Sequence, residues 1–118
     1  MAELECVSAV TLSTRDMARS VAYYVSLGFR LDFGGAEAPF TTLWAGRTAL
    51  NLTTERGERP PGFWGRVIFH VTDVDEFHAN LVAAGHEADF LPKDAPWGER
   101  YFHAKDPDGH ELSFAKSL

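Results

Sequence analysis

Three side chains able to exchange protons near neutral pH, His70, His103 and Glu111, lie in the second half of the chain. Histidine titrates close to neutrality, and a carboxylate beside it makes an acid–base partner. His70 and Glu111 are therefore the candidate catalytic pair, and with His103 they could instead hold a displaced metal ion. The other histidines read differently. His78 falls on the outer side of a helical segment and His86 follows the glycine that ends it, so both are expected in solvent; His110 is expected to face away from the other three. The lone cysteine, Cys6, excludes an internal disulfide and any multi-cysteine zinc site. It opens an alternating apolar run, which favours a buried structural thiol over a nucleophile. A second kind of chemistry comes from aromatic rings. Trp44, Trp64 and Trp97, with Phe33, Phe40, Phe63 and Tyr101, fall in strand and loop segments, where flat rings can stack on a planar guest. Trp64 and Trp97, beside Gly and Pro, suit a rim or an interface.

The elements that position these residues come from a chain of 118 residues, 45% hydrophobic and 24% charged, the mix of one globular domain. Eleven Lys and Arg against seventeen Asp and Glu leave a net charge of −6, which disfavours sequence-independent binding to nucleic acid and favours a neutral or cationic guest. No apolar run is long enough to span a bilayer. The acidic start Met1-Ala2-Glu3-Leu4-Glu5 is unlike a secretory signal. A cytoplasmic protein without membrane or nucleic-acid partners is expected.

Sliding the sequence along itself reveals a repeat. At a shift of 57, residues 9–33 lie on residues 66–90 with identities Val10/Val67, Asp16/Asp73, Ala22/Ala79, Val25/Val82, Gly28/Gly85, Asp32/Asp89 and Phe33/Phe90. Each copy reads as a strand, a helix and further strands. In the first, residues 7–14 alternate as a strand, Asp16 caps a helix whose inner stripe is Met17, Val21, Tyr24, Val25 and Leu27, and Gly28 ends it. Strands follow at 30–33, 41–45 and 48–53. In the second, a strand at 66–71 precedes the capping sequence Asp73-Val74-Asp75-Glu76 and a helix burying Val74, Phe77, Leu81 and Ala84. Strands follow near 88–91, 100–105 and 111–115, with Asp106-Pro107-Asp108-Gly109 as a turn. Trp44 and Tyr101 occupy equivalent points of the two copies.

The predicted fold is α+β: tandem βαβββ modules forming curled mixed sheets around a cleft, with the helices outside. The chain is expected to be one domain, 1–118, with module one at 7–53, a linker at 54–65 and module two at 66–115. Strand alternation sends Val10, Leu12, Leu50, Leu52, Val67, Phe69, Val71, Leu112 and Phe114 toward the helices. Ala9, Thr11, Ser13, Asn51, Arg66, Ile68, His70, Glu111 and Ser113 then face the cleft.

The duplicated module, its Asp-capped and Gly-ended helices, and the segments Pro96-Trp97-Gly98-Glu99-Arg100-Tyr101-Phe102 and Asp106-Pro107-Asp108-Gly109-His110-Glu111-Leu112 resemble the vicinal-oxygen-chelate superfamily, which groups glyoxalases, bleomycin-resistance proteins and extradiol dioxygenases. The resemblance implies a divalent-metal site on the first and last strands of each module. The matching positions here are Ala9, Asn51, Arg66 and Ser113. Alanine has no donor atom, arginine cannot deprotonate to become one, and Asn and Ser are weak neutral ligands. No metal and no cofactor are therefore expected.

The sequence is most similar to the bleomycin-resistance branch, which implies a homodimer that sequesters a small aromatic or cationic compound without a metal. The ligand-binding candidates are Asn51, Arg66, Ile68, His70, Trp97, Tyr101, His103, Glu111 and Ser113, with Arg66 pairing with Glu111 or with a ligand. Two alternatives stand beside this reading. One is a glyoxalase-like lyase or isomerase, or a dioxygenase-related enzyme, using His70 and Glu111 with or without a displaced metal. The other is a structural dimer whose cleft is filled by its own side chains.

Overall fold

A computed structural model describes residues 2–55 and 62–118, and the chain divides into two compact units, 1–59 and 60–118. The middle of the expected linker, 56–61, lies outside the described residues. The first unit runs β1 (Ala9–Ser13), α1 (Met17–Ser26), β2 (Arg30–Phe33), β3 (Phe40–Ala45) and β4 (Thr48–Thr53). The second runs β5 (Arg66–His70), α2 (Val74–Ala83), β6 (Lys93–Asp94), β7 (Glu99–Lys105) and β8 (Glu111–Ser117). Both form an open four-stranded mixed sheet of one topology, β1-β4-β3-β2 and β5-β8-β7-β6. The first strand of each pairs in parallel with the last, and the remaining neighbours are antiparallel. This is the predicted α+β repeat.

Capping sets the helix ends as the sequence implies. The Asp16 carboxylate accepts from the Arg19 backbone N–H at 3.1 Å, and Asp73 accepts from that of Glu76 at 3.0 Å. Both helices stop where Gly28 and Gly85 take φ of 99° and 92°, a left-handed conformation that a Cβ would strain. In the turn after β7, Asp106 Oδ1 accepts from the backbone N–H groups of Asp108 and His110, each at 2.9 Å. On the helix side of the second sheet, Arg100 forks onto Asp75 at the start of α2 and reaches Asp94 on β6. Those hydrogen bonds hold the Asp75 carboxyl below its ordinary range.

Each core lies between the helix and one face of its own sheet. Leu12, Met17, Val21, Tyr24, Leu43, Leu50 and Leu52 are buried in the first unit, and Val74, Leu81, Phe102, Ala104, Leu112 and Phe114 in the second. The fully buried Phe114 ring stacks on Phe77 of α2 at 4.6 Å and on Phe69 of β5 at 5.7 Å between centroids.

Several expectations need correction. Val25 is 46% exposed, because one helical step past Tyr24 turns a side chain about 100° off the inner stripe; Ser20 and Tyr23 are buried instead. Ala84 is the exposed C-cap of α2. The strand expected near 88–91 shrinks to a single bridge, Ala88 to Ala104. Pro92 follows directly, lacking a donor N–H and restricting Leu91, so pairing resumes only at Lys93. Cys6 is exposed, since it precedes β1 and pairs with no strand among the described residues.

The core assignment has a direct test. Phe114→Ala is expected to lower the free energy of unfolding by about 3–5 kcal/mol, and Val25→Ala to change it by less than about 0.5 kcal/mol, both read from urea denaturation.

Candidate functional site

The face of the second sheet opposite α2 carries most of the candidate residues. β5 alternates exposed and half-buried side chains, so Arg66, Ile68 and His70 point away from the helix while Val67 and Phe69 point toward it. Register extends this face across the sheet: Arg66 lies opposite Glu111, Ile68 opposite Ser113, His103 opposite Ser113, and Tyr101 opposite Lys93. Ser113 is buried on this face, and Ile68 is 59% exposed near its middle.

Two polar groupings and one aromatic grouping form there. Arg66 Nη2 donates to Glu111 Oε1 at 3.1 Å, and the guanidinium lies 5.2 Å from the Phe63 ring centroid. His70 Nε2 lies 3.2 Å from Glu99 Oε2, while Trp97 Nε1 donates to Glu99 Oε1 at 3.0 Å. The rings of Trp97 and Tyr101 lie 5.4 Å apart, Tyr101 and His103 5.2 Å, Phe90 and Tyr101 5.5 Å, and Phe90 and His103 5.1 Å. Lys93 Nζ sits 4.5 Å from the Phe90 centroid and 5.7 Å from that of Tyr101, within cation–π range. Trp97, 64% exposed, forms the outer edge of this platform.

The structure does not bring His70 and Glu111 together. They face the same way on β5 and β8, but the register pairs Glu111 with Arg66 and sets His70 beside Ala115, four residues or about 13 Å further along the sheet. His70 meets Glu99 instead. Asn51 belongs to the first unit, where its amide donates to Thr11 Oγ1 and its carbonyl accepts from Thr42. Phe90 and Lys93 escaped the sequence reading. Phe90 is the repeat partner of Phe33, one of the rings expected to stack on a planar guest, so the repeat itself holds the signal. Lys93 is one lysine after a proline and carried none.

Other placements differ from expectation. Strand register makes Trp44 the counterpart of Lys105, not of Tyr101: Trp44 pairs with Ala49 as Lys105 pairs with Glu111. The difference arises because the second copy is longer ahead of this point: Asp32 and Trp44 are 12 residues apart, Asp89 and Lys105 are 16. Trp44 Nε1 donates to Asp32 and Lys105 Nζ to Asp89, at 2.8 and 2.9 Å, so the repeated aspartates hold the same slot with different donors. His78 is half-buried, edge-on to Phe102 at 5.0 Å, because α2 lays it over β7. His86 is half-buried as well. His110 is buried, and its Nδ1 accepts from Trp64 Nε1 at 2.9 Å.

The donor set does not suit the metal site that the resemblance implies. Arg66 stands at one first-strand position with its guanidinium on Glu111, and Ala9 at the other offers no donor. Among the described residues no three His, Cys, Asp or Glu side chains gather closely enough to hold an ion. Burial lowers the His103 pKa from its ordinary value; the Arg66 guanidinium adds to this, as does Lys93, while Glu111 and Asp89 oppose it. His103 is therefore neutral at pH 7 and offers one ring N–H and one lone pair.

This has a measurable consequence. A histidine depressed in the folded state binds fewer protons than in the unfolded chain, so its contribution to stability is present above pH 6.5 and is lost as pH falls through the lowered value. NMR titration is expected to place the His103 midpoint below 6.5, and Arg66→Gln is expected to raise it by removing a nearby cation.

Comparison with known proteins bears on the whole chain. A search of curated proteins finds no match. Among solved structures, TioX from Micromonospora sp. ML1 is 27% identical over 97% of this chain and 100% of its own, with a TM-score of 0.79. A bleomycin resistance determinant encoded on the transposon Tn5 is 24% identical over 92% and 95%, with a TM-score of 0.78. Lactoylglutathione lyase from Agrobacterium tumefaciens is 17% identical over 97% and 95%, also at 0.78. The last two share the fold. Residues 7–114 match the family described as Glyoxalase/Bleomycin resistance protein/Dioxygenase superfamily, and with the duplicated βαβββ sheets in place the chain belongs to that superfamily.

Proposed function

We propose that the protein binds a small planar aromatic compound on the open face of the second sheet and does so without a metal. The observation that carries this is the ring platform of Phe90, Tyr101, His103 and Trp97, whose outer member is largely exposed. Tyr101 and His103 are fixed in β7, with Phe90 and Trp97 packed against them from the flanking loops, and rings held in this way lose little freedom when a flat guest stacks on them. Ile68 supplies apolar surface beside them, and Arg66, Glu111, His70 and Ser113 supply polar contacts on the same face. Asn51 presents an amide on the corresponding face of the first unit. Membership of a superfamily that includes bleomycin resistance proteins supports small-molecule binding, and sequestration is the role this reading gives to it.

An enzyme using His70 and Glu111 on one substrate atom fits less well, since the register separates the pair and gives each another partner. The homodimer implied by the family resemblance and a cytoplasmic location belong to the same proposal. Light scattering is expected to give twice the 13.1 kDa chain mass.

Tryptophan quenching by 2-naphthamide, a neutral flat probe, tests the binding surface. Saturable quenching unaffected by EDTA is expected, with Trp97→Ala and Tyr101→Ala each weakening it about three- to tenfold. Binding that disappears with EDTA would overturn metal independence. Binding untouched by both substitutions would move the site elsewhere.

A further inference from the structure

The charge of the guest can be read from how the ions on this face are already spent. Glu99 accepts from Trp97 with one oxygen and meets His70 with the other; Glu111 is paired with Arg66, and Asp89 with Lys105. No carboxylate of the three is left facing a guest unengaged. Of the cations Arg66, Lys93 and Lys105, Lys93 alone has no carboxylate within ion-pair distance among the described residues. Its ammonium lies over Phe90 and Tyr101, the place where a cationic guest would seek the ring faces. Arg66 gives one donor to Glu111 and keeps others in its fork. The two cations flank His103: Lys93 sits opposite Tyr101 across β6 and β7, two residues from His103, and Arg66 lies beyond β8 on β5. The acidic net charge of the whole chain therefore misstates this face, where the available charge is positive.

We propose that the guest is a planar aromatic carboxylate, its ring on Trp97 and Tyr101 and its anionic group held by Lys93, with Arg66 as the second cation. This rests on the ring platform of the preceding section and adds the sign of the ligand. Burial is the main cause of the depressed proton affinity of His103, and Arg66 and Lys93 add to it. A neutral His103 can still donate a hydrogen bond to a carboxylate oxygen.

The test uses three probes of one shape on the intact protein: 2-naphthoate, 2-naphthamide and 2-naphthylmethylammonium, followed by tryptophan quenching and calorimetry. The expected order places naphthoate about five- to tenfold tighter than the amide and the ammonium weakest, a preference that shrinks in added salt. Lys93→Met keeps the stem and removes the charge; it is expected to bring naphthoate to the level of the amide while amide binding persists, which also reports that the variant is folded. Saturable binding of all three with equal affinity, or preference for the ammonium, would overturn the charge assignment and leave the platform standing. A naphthoate preference that survives Lys93→Met would remove the role given to Lys93. Failure of every probe to bind would sink the platform, and this inference with it.

Discussion

Phe114 decides what the second sheet can present. Its ring is fully buried between Phe77 of α2 and Phe69 of β5, and a strand has only two faces. Once Phe114 and Leu112 point to the helix, Glu111 and Ser113 must point away; the parallel register then sets Arg66 beside Glu111 and Ile68 beside Ser113. The antiparallel partner carries the same rule to β7, where Phe102 and Ala104 are buried and Tyr101 and His103 turn outward. A slip of one residue would exchange these sets entirely, placing aromatic core in water and an ion pair against a helix. The packing of one phenylalanine and the composition of the open face are thus one constraint.

Within that face, Arg66 has the largest effect on the chemistry available. A guanidinium remains charged at any pH the protein meets and offers donors only. Placed at a position where relatives are expected to supply an electron pair, it reverses the sign of what can approach. Its bond to Glu111 neutralises part of that charge, while the Phe63 ring beneath it keeps the head group in place. What remains is suited to recognition through hydrogen bonds and ring contact, with the proton affinity of His103 on the same face lowered by burial and by Arg66.

Much of this architecture was legible in the sequence because the repeat doubles every signal. Asp16 and Asp73, Gly28 and Gly85, and the alternation of β5 and β8 led to the observed elements and faces. Tertiary pairing was less legible. Alternation shows which way His70 and Glu111 point but not how far apart they lie along the sheet, and Glu99, at the start of β7 and at the opposite end of that strand from the Lys105–Glu111 bridge, takes the place expected for Glu111. Cys6 alternates with its neighbours as a strand residue would, yet β1 begins only at Ala9 and leaves it exposed. Lys93 gains its meaning only from the bend that Pro92 imposes, which brings a two-residue strand alongside Tyr101.

The aspartates at 32 and 89 carry a wider implication. In one half the carboxylate receives an indole N–H, in the other a lysine ammonium, with nearly equal reach. Each contact closes wholly within its own unit, so neither half had to change in step with its twin. Duplication followed by such private bookkeeping leaves two copies of one scaffold free to acquire separate surfaces, one with Asn51 tied between Thr11 and Thr42, the other with Arg66 on Glu111 beside the rings of Tyr101 and His103.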